Sequence, residues 1–386
     1  MKVKILTVGG GSGGHVTPVV AVINQLAATK ASIEVRFWCD RGYRRQSGEL
    51  LMNQATVDVK VSNILAGKLR RYHGSSFFQK LLDIPTIILN IFDVFLVALG
   101  FLQSLIKLII WRPKVIFLKG GFVCLPVGYA AFLLRIPMVI HDSDAHAGLT
   151  NRILAPLARY IATGAPLEYY NYPKDKARYV GIPVQSNARP YSESEKQKLK
   201  KKFDVDPKRP LLVVTGGGLG AKRINDVMVE ISPRLIDKTS VVHLSGSSQY
   251  NELLDRIPSS SDYKLISFLS EGFTELIGAA DIVVSRAGAS SLAELASVGA
   301  SVILVPNVQL AGNHQMKNAQ VYLENEAVML ADENEFLEHP NKLQSQIVSL
   351  LDDNEKRQKL GKVLLGFAKP NAAKDVADLI RKAAGV

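Results

Sequence analysis

A run of glycines that ends in a histidine is the first feature of the chain with chemical potential. Gly9–Gly14 follow a short apolar segment, and His15 comes directly after them. Backbone N–H groups that no side chain covers, at the start of a helix, form a cradle for an anion such as phosphate. An imidazole beside that cradle can act as a general base on a bound hydroxyl. The run therefore predicts a phosphate site with His15 as its base.

The same glycines also satisfy the G-x-G-x-x-G pattern of dinucleotide-binding folds, through Gly9, Gly11 and Gly14. Asp40 ends the next apolar segment, near the position at which such folds place an acidic residue on the ribose. This alternative is a nicotinamide-dependent oxidoreductase that binds NADH. It leaves His15 without a role.

Two further polar segments follow apolar runs in the first half of the chain. Gly120, Gly121 and Phe122 form a second candidate anion site through their backbone. Residues 141–146 read His-Asp-Ser-Asp-Ala-His, which contains a D-x-D pattern and two histidines. Such a cluster is compatible with a metal ion, and it serves equally well to orient the hydroxyls of a sugar.

The second half repeats the strand and glycine-loop pattern at Gly216–Gly220. Farther on, Ser290 or Ser291 can cap a helix whose N-terminus can hold a phosphate. Glu294 lies one turn into that helix, where a carboxylate could accept two hydrogen bonds from a ribose diol. Gln315 and Asn318, also one turn apart, suit uncharged sugar hydroxyls.

These segments need a scaffold that gathers the ends of strands at one edge. The strands predicted from apolar runs are Val3–Val8, Ile33–Trp38, Val115–Leu118, Met138–His141, Tyr160–Thr163, Leu211–Thr215, Val241–Ser245, Lys264–Ser267, Asp281–Ser285 and Ser301–Val305. They alternate with helical patterns, which predicts parallel sheets whose carboxyl-end loops bind ligands. We expect two domains, residues 1–184 and 185–370, and a terminal helix at 371–386 that could pack against the first domain.

The amino-acid composition is typical of a globular protein that binds an anionic partner. The chain has 386 residues, of which 47% are apolar and 21% charged, and its two cysteines are too few for a disulfide framework. Lys and Arg number 47 against 35 Asp and Glu, a formal net charge of +12. This excess indicates nucleic acid, a phosphorylated substrate or an acidic membrane surface as partner. The lysine-rich helix after Pro190 is predicted to be a solvated surface.

The segment Ile84–Trp111 predicts a long apolar helix. Its less apolar positions form one helical stripe, at Asn90, Asp93, Gly100, Ser104 and Lys107. One alternative buries this helix in the protein core. The other lays it in a membrane interface with nearby cations facing anionic lipid, namely Lys68, Arg70, Arg71, Lys80 and Arg112.

Taken together, five blocks resemble the MurG family of glycosyltransferases, in glycosyltransferase family 28. They lie in the same order between residue 5 and about residue 325, and they read GGGSGGHVTP, KGGF, IHDSDAHAGLTNRILA, GGGLGAKRIN, and SRAGASSLAELASVGASVILVPN followed by NHQMKNA. The second and fifth blocks are similar to segments of other two-domain glycosyltransferases. The third, with AGLTNR after a histidine at a strand end, is much more specific.

The resemblance implies a GT-B fold: α/β, with two Rossmann-like doubly wound parallel-sheet domains and an interdomain cleft. The implied enzyme is an inverting UDP-GlcNAc-dependent hexosyltransferase that makes lipid II for peptidoglycan by glycosylating the 4-hydroxyl of lipid-linked MurNAc-pentapeptide. It implies no cofactor, no metal and no nucleic acid, and a peripheral place on the cytoplasmic face of the bacterial membrane. A divergent paralogue with another lipid acceptor, or a weakly catalytic UDP-sugar-binding membrane protein, stays open.

The resemblance also implies roles by position. His15 and Asp142 would be catalytic. The residues implied to hold the acceptor pyrophosphate are Gly11, Gly120, Gly121 and Phe122. Those implied to bind UDP-GlcNAc are Ser12, Gly13, Gly14, Asp144, Gln185, Gly218, Leu269, Arg286, Ala289, Ser290, Ser291, Glu294, Gln315 and Asn318. Among these, Arg286 would border the diphosphate, Glu294 the ribose, and the Leu269 backbone the uracil.

Several positions depart from the family pattern. Gly218 stands where a serine is usual, which removes a hydroxyl donor to the phosphates, and Gln185 stands in place of an arginine. Phe122 replaces a tyrosine, Asp142 a glutamate and Asp144 an asparagine. Asp144 adds a negative charge beside an anionic donor, unless a cation or a proton offsets it.

Overall fold

The computed structural model describes residues 2–10, 13–29, 32–68, 83–184, 188–218, 220–269, 271–307 and 313–386, without the side chains of residues 13–15, 46 and 84. The chain divides into two compact units. Unit 1 comprises Met1–Ser186 and Pro370–Val386, and unit 2 comprises Asn187–Lys369. The terminal segment therefore belongs to the first unit.

Unit 1 is built on a seven-stranded sheet in the order β3-β2-β1-β4-β5-β6-β7. Its strands are β1 Val3–Val8, β2 Ile33–Cys39, β3 Val59–Asn63, β4 Val115–Leu118, β5 Met138–Asp142, β6 Tyr160–Thr163 and β7 Ala177–Tyr179. All neighbouring pairs run parallel. The carboxyl ends of β1, β4 and β5, which are neighbours, therefore lie side by side at one edge.

The helices of unit 1 connect these strands and cover the sheet. They are α1 Gly13–Ala27, α2 Arg44–Gln54, α3 Ile84–Ile110, α4 Cys124–Leu133, α5 Leu149–Leu154 and, from the end of the chain, α15 Ala372–Ala384. Val376 and Ile380 of α15 share a core cluster with Val19 and Ile23 of α1. The last helix is thus held by burial of apolar side chains in unit 1.

Unit 2 repeats the architecture with a six-stranded sheet in the order β10-β9-β8-β11-β12-β13. Its strands are β8 Leu211–Thr215, β9 Ser240–Leu244, β10 Tyr263–Ile266, β11 Ile282–Ser285, β12 Val302–Leu304 and β13 Met329–Leu330, all parallel to their neighbours. Its helices are α6 Glu193–Lys202, α7 Lys222–Leu235, α8 Tyr250–Leu254, α9 Phe273–Ala279, α10 Ala289–Val298, α11 His314–Leu323, α12 Glu333–Glu338, α13 Asn341–Asp352 and α14 Asn354–Leu365. Apolar clusters cover both faces of the sheet.

The lysine-rich helix α6 is a surface helix of unit 2, with one exception. Lys196 and Lys202 pair with Glu193 and Glu275 at the surface. Lys200 is buried, and its ammonium lies 2.7 Å from the Asp281 carboxylate and 2.8 Å from the Arg209 carbonyl. The predicted solvated face therefore holds for most of α6 but not for Lys200, which ties the helix to Asp281, directly before β11.

The apolar side of α3 points away from the protein. Its exposed side chains include Ile88, Ile91, Phe92, Phe95, Leu102, Ile106 and Ile109, each at least 53% exposed. The alternative that buries this helix in the core is therefore wrong for its apolar side. By length and composition, Pro85–Ile110 could also cross a membrane. However, the strands β3 and β4 on either side of it belong to the same sheet.

The polar stripe of α3 faces inward instead. Asp93 and Ser104 are buried, and Lys107 donates to the Asn63 carbonyl at 2.9 Å. A Cβ atom on Gly100 would lie 1.8 Å from the Leu65 carbonyl oxygen, so only glycine permits this approach. Of the cations predicted to flank the helix, Lys68 and Arg112 are exposed, whereas Arg70, Arg71 and Lys80 lie outside the described residues.

Candidate active site

The two glycine loops of unit 1 contact each other at the carboxyl edge of its sheet. The Gly10 N–H donates to the Gly120 carbonyl at 3.1 Å. Gly120 and Gly121 have φ values of +99° and +90°, a region that favours glycine. A Cβ on Gly121 would come within 3.2 Å of the Gly10 nitrogen. The loops therefore need glycine to pack this closely. Phe122, which follows them, is half-buried.

The first turn of α1 begins directly beyond the first loop. Gly13, Gly14 and His15 are its first three residues, so the glycine run leads directly into a helix N-terminus. That this N-terminus binds an anion stays a prediction. The side chain of His15 is outside the described part of the structure. Gly11 and Ser12, two further predicted site residues, lie outside the described residues altogether.

Asp40, the acidic residue of the dinucleotide alternative, is used locally. Its side chain accepts a hydrogen bond from the Gly42 N–H at 3.0 Å and caps a short helical turn, Arg41–Tyr43. This is the usual role of an aspartate at a helix start. The contact gives Asp40 a structural function in the fold.

Asp142 is buried, and its carboxylate is held by its own unit. Oδ2 accepts from the Gly148 N–H at 2.9 Å and from the Tyr172 hydroxyl at 2.7 Å. Desolvation raises the pKa of this carboxyl, and the hydrogen bonds oppose that shift. These contacts hold the loop between β5 and α5 in place. They give Asp142 a structural role, whereas the role predicted for it was catalytic. Asp144, two residues on, is half-buried.

His141 is also buried within unit 1. Its Nε2 lies 2.9 Å from the Gly181 carbonyl, and its own carbonyl accepts from the Asn151 side chain at 3.2 Å. A carbonyl can only accept, so Nε2 carries a proton in this contact. The hydrogen bonds of His141 therefore stabilise the loop that follows β5.

In unit 2, the second glycine loop packs as closely as the first. Gly217 and Gly220 have φ values of +82° and +77°. A Cβ on Gly220 would lie 2.1 Å from the Ser245 carbonyl oxygen, which is incompatible with any side chain. Gly218, a predicted donor-binding position, lies between them in this loop. Leu219 is outside the described residues.

Phe268 is a candidate site residue that the sequence reasoning missed. Its ring is 51% exposed, and a Cβ on Gly218 would lie 3.9 Å from its Cε2. An aromatic ring beside a glycine loop offers a face on which a nucleotide base could stack. The available signal was its position directly after an apolar strand. The next residue, Leu269, packs its side chain on the core, which leaves its backbone for recognition.

The helix α10 begins without a serine cap. Gly288 is its N-cap residue and carries no side-chain hydrogen bond, so the predicted capping by Ser290 or Ser291 is wrong. Glycine is accepted at an N-cap because it adopts the extended conformation seen here. Ala289, Ser290 and Ser291 form the first turn instead, and all three are half-buried. Their backbone still offers a helix N-terminus to an anion.

Glu294 lies on α10, one turn further along. Among the described residues, no hydrogen-bond or ion-pair partner reaches its carboxyl group. Burial raises the pKa of this carboxyl to about 7. A half-buried carboxyl that the fold leaves without a partner is costly, and such groups concentrate at functional sites. Glu294 is therefore available to a ligand.

Arg286, predicted to border a diphosphate, has protein partners. It is 7% exposed, donates to the Val305 carbonyl at 3.0 Å and pairs with the buried carboxylate of Glu333. Arg223 reaches the other oxygen of Glu333 at 2.9 Å. The two arginines thus share one carboxylate and tie β11, β12 and α12 together. This arrangement gives Arg286 a structural role in addition to the predicted one.

Gln315 and Asn318 of α11 are likewise engaged by the protein. Gln315 Oε1 accepts from the Asn307 N–H at 2.8 Å. Asn318 is 3% exposed, and its amide donates to the Ala287 carbonyl at 3.2 Å. Among the described residues no partner reaches the amide nitrogen of Gln315, whereas buried Asn318 holds the segment before α10 in place. Gln185 lies outside the described residues.

No three His, Cys, Asp or Glu side chains within the described ranges come together closely enough to hold a metal ion. What the two units share is a parallel doubly wound sheet with a glycine loop at its carboxyl edge, and unit 2 adds a helix N-terminus followed by an available carboxylate. Together these features define a GT-B glycosyltransferase fold.

Comparisons with known proteins agree with that class. The Glycosyltransferase family 28 N-terminal domain matches residues 5–163, and the Glycosyltransferase family 28 C-terminal domain matches residues 211–379. The UDP-N-acetylglucosamine–N-acetylmuramyl-(pentapeptide) pyrophosphoryl-undecaprenol N-acetylglucosamine transferase of Shouchella clausii is 33% identical over 86% of this chain and 87% of its own length. The Clostridium perfringens protein of that name is 29% identical over 99% of both chains.

Solved structures share the fold. The crystal structure of Acinetobacter baumannii MurG matches with a TM-score of 0.72 at 21% identity, over 98% of this chain and 99% of that one. A UDP-GlcNAc 2-epimerase from Neisseria meningitidis matches with a TM-score of 0.62 at 16% identity, over 98% of this chain and 100% of that one. The chain belongs to glycosyltransferase family 28. Membership of this family favours a glycosyltransferase over the nicotinamide-dependent oxidoreductase.

Proposed function

We propose that this chain transfers GlcNAc from UDP-GlcNAc to the 4-hydroxyl of lipid-linked (undecaprenyl-pyrophosphoryl) MurNAc-pentapeptide and so makes lipid II for peptidoglycan. The names of its relatives describe this activity. The reaction inverts the anomeric carbon: the hydroxyl oxygen bonds to it as its bond to UDP breaks. The hydroxyl proton goes to a base, and UDP leaves with the electron pair.

The observation that carries this proposal is the carboxyl group of Glu294. It lies one turn into α10, it is half-buried, and it has no partner among the described residues. Bound beside the helix N-terminus, a nucleoside diphosphate would set its phosphates on the first-turn N–H groups and its ribose diol on Glu294. The exposed ring of Phe268 would then cover the uracil.

We assign the base role to His15, in the first turn of α1 beside the paired glycine loops. A neutral imidazole has a pKa suited to accepting the hydroxyl proton near pH 7. Gly120 and Gly121 would hold the pyrophosphate of the acceptor through backbone N–H groups. Positioning of the two substrates and stabilisation of the departing UDP would supply most of the rate.

We further propose that unit 1 docks on the anionic cytoplasmic face of the bacterial membrane as a peripheral protein. The exposed side of α3 continues onto α4, where Phe132 and Leu133 are 55% and 61% exposed. Exposed Arg112 donates to the Leu134 carbonyl, which brings a cation to the rim of this apolar surface. An apolar face bordered by cations matches the chemistry of an anionic bilayer surface.

The test supplies the purified protein with a lipid-linked muramoyl-peptide acceptor and, in turn, UDP-GlcNAc, UDP-GalNAc and UDP-glucose. We expect a glycosylated product with UDP-GlcNAc, detected by mass spectrometry together with released UDP. His15→Ala should lower the rate about 100-fold or more while circular dichroism stays unchanged. The matched control is His339→Ala, at an exposed histidine of unit 2.

Two outcomes would redirect the proposal. Undiminished turnover by His15→Ala would remove His15 from the base role without affecting the transfer itself. UDP-GlcNAc binding without any sugar transfer would favour the weakly catalytic binding protein. The departures at Gly218 and Asp144 motivate that alternative, since both lie at positions predicted to face the donor.

A further inference from the structure

A short segment of unit 2, residues 285–288, leads from the end of β11 to the N-cap of α10. Side chains that contact distant parts of the unit hold it. The Asn318 amide on α11 donates to the Ala287 carbonyl at 3.2 Å, and the Arg286 guanidinium donates to the Val305 carbonyl, directly after β12, at 3.0 Å. The position of the first turn of α10 therefore depends on these contacts.

The carboxylate of Glu333 is the second partner of Arg286. One of its oxygens pairs with Arg286, and the other lies 2.9 Å from the Arg223 guanidinium. Glu333 is the first residue of α12, and its side chain is completely buried. A buried carboxylate is costly unless cations replace its lost hydration, and here each oxygen has one. Glu333 therefore holds the Arg286 side chain in one place.

This cluster lies where the sheet of unit 2 changes the side on which its helices pack. β8 and β11 are neighbours, but Ile224 of α7 and Leu292 of α10 belong to different apolar clusters. The consecutive β8 residues Leu212 and Val213 divide between the same two clusters, so the clusters cover opposite faces of the sheet. Ligands of open parallel sheets bind at such a switch point, beside the carboxyl ends of the strands.

We propose that Glu333 is a positioning residue for the nucleotide: by holding Arg286, it sets the first turn of α10 where its backbone N–H groups meet the phosphates of UDP. The inference rests on the proposed function, in which that turn binds the diphosphate. Arg286 then acts through the backbone of its own segment. N–H groups that are already in place bind an anion more tightly, because the ligand does not have to order them.

Titrations of the full chain with UDP and with uridine test this role. Glu333→Gln keeps the side-chain shape but leaves one arginine facing an amide NH₂ group, which cannot accept a hydrogen bond. We expect the dissociation constant for UDP, measured by calorimetry, to rise about tenfold. The constant for uridine, measured by ligand-observed NMR, should change less than about twofold, because uridine has no phosphate. Glu338→Gln, at an exposed glutamate of the same helix, is the matched control and should change neither constant.

Arg223 provides a double-mutant cycle. In an Arg223→Met background, the amide oxygen introduced by Glu333→Gln is free to accept from Arg286, so the substitution should raise the UDP constant less than about threefold. Glu333→Asp keeps the charge but shortens the side chain. It should also weaken UDP selectively, and it replaces Glu333→Gln if that variant does not fold. An equal increase in both backgrounds, or a parallel increase for uridine, would overturn the proposal.

Hydrogen exchange separates this test from that of the proposed function. The Leu292 amide donates to the Gly288 carbonyl at 2.9 Å and reports on the first turn of α10. We expect Glu333→Gln, but not Glu338→Gln, to speed its exchange about tenfold. A wild type that binds no UDP would contradict the proposed function, while faster exchange would still support the positioning. Unchanged exchange would contradict the inference whether or not UDP binds.

Discussion

The side chain of Gln103 on α3 accepts a hydrogen bond from the Leu65 N–H, with 2.9 Å between Oε1 and the nitrogen. Lys107 of the same helix donates to the carbonyl of Asn63, the last residue of β3, so polar side chains of α3 satisfy backbone groups at and just after the end of β3. The polar side chains of the helix therefore contact the rest of unit 1, and many of its apolar side chains are exposed. An inverted amphipathic helix of this kind needs an apolar partner to cover it.

We expect that partner to be an anionic bilayer, and the exposed phenylalanines test it. Phe92→Glu combined with Phe95→Glu should reduce binding to phosphatidylglycerol-containing vesicles at least tenfold in a sedimentation assay, because two charges replace inserted rings. Both side chains are 57% exposed, so the fold should not change. Met52→Glu is the control, at a methionine of α2 that is 82% exposed. Equal binding by all proteins would contradict membrane docking by α3.

The close backbone packing of Gly100 on α3, and of Gly67 against α3, should make these two positions the least tolerant of an added side chain. A Cβ on Gly67 would lie 2.0 Å from the Asp93 carbonyl oxygen, as close as the Gly100 contact with Leu65. Either glycine changed to alanine should lower the free energy of unfolding by about 2 kcal/mol or more through overpacking. Urea unfolding followed by tryptophan fluorescence measures it.

A third glycine provides the matched control for that series. Gly48 lies within α2, and a Cβ there meets nothing within 4 Å. Gly48→Ala should therefore raise the free energy of unfolding by about 0.5–1 kcal/mol, since alanine favours the helix. Equal destabilisation by all three substitutions would mean that close packing against α3 is not the cause.

The interior strands were readable from sequence, and among the edge strands of the two described sheets only β10 was. β1, β4, β6 and β8 have the predicted limits, because a strand covered on both faces is a continuous apolar run. The strands missed are β3, β7 and β13, which lie at the edges of their sheets. β3 reads Val-Lys-Val-Ser-Asn, and such half-buried, partly polar segments look like loops.

The sequence predicted where the loops of the candidate site lie, but not which side chains contact one another there. The loops of β1, β4 and β5 were predicted to gather at one edge, and the sheet order brings them there. The partner of Arg286 was not predictable, since Glu333 lies 47 residues away on another helix. The contact of the Lys119 ammonium with the Ser143 hydroxyl was not predictable for the same reason. Burial and pairing depend on tertiary packing, which local patterns do not encode.

The buried imidazole of His243 predicts acid sensitivity in unit 2. Its nitrogens contact the Tyr263 hydroxyl at 2.6 Å and the Asn225 side chain at 2.9 Å, and burial lowers its pKa from 6.5 to about 4. The unfolded chain then binds the proton more tightly, so stability is fully present above pH 6.5 and is lost as pH falls from there toward 4. The shift corresponds to about 3 kcal/mol.

Hydrogen exchange at the amides of β9 measures this loss within unit 2. We expect protection to decrease between pH 7 and pH 5, after correction for the intrinsic exchange rate. His339→Asn, at an exposed histidine, should leave the decrease unchanged. Constant protection over that range would show that His243 is not desolvated in the folded state.

Glu294 should make donor binding depend on pH. As the ligand-free carboxyl has a pKa raised to about 7, it is partly protonated at neutral pH, and protonation removes an acceptor from a ribose diol. The dissociation constant for UDP-GlcNAc, measured by calorimetry, should therefore rise as pH falls from 8 to 6. Glu294→Gln should weaken binding about tenfold at pH 8 and flatten the pH dependence. Glu230→Gln, at an exposed position of α7, should match the wild type. A pH dependence that persists in Glu294→Gln would assign it to another group and leave Glu294 outside the donor site.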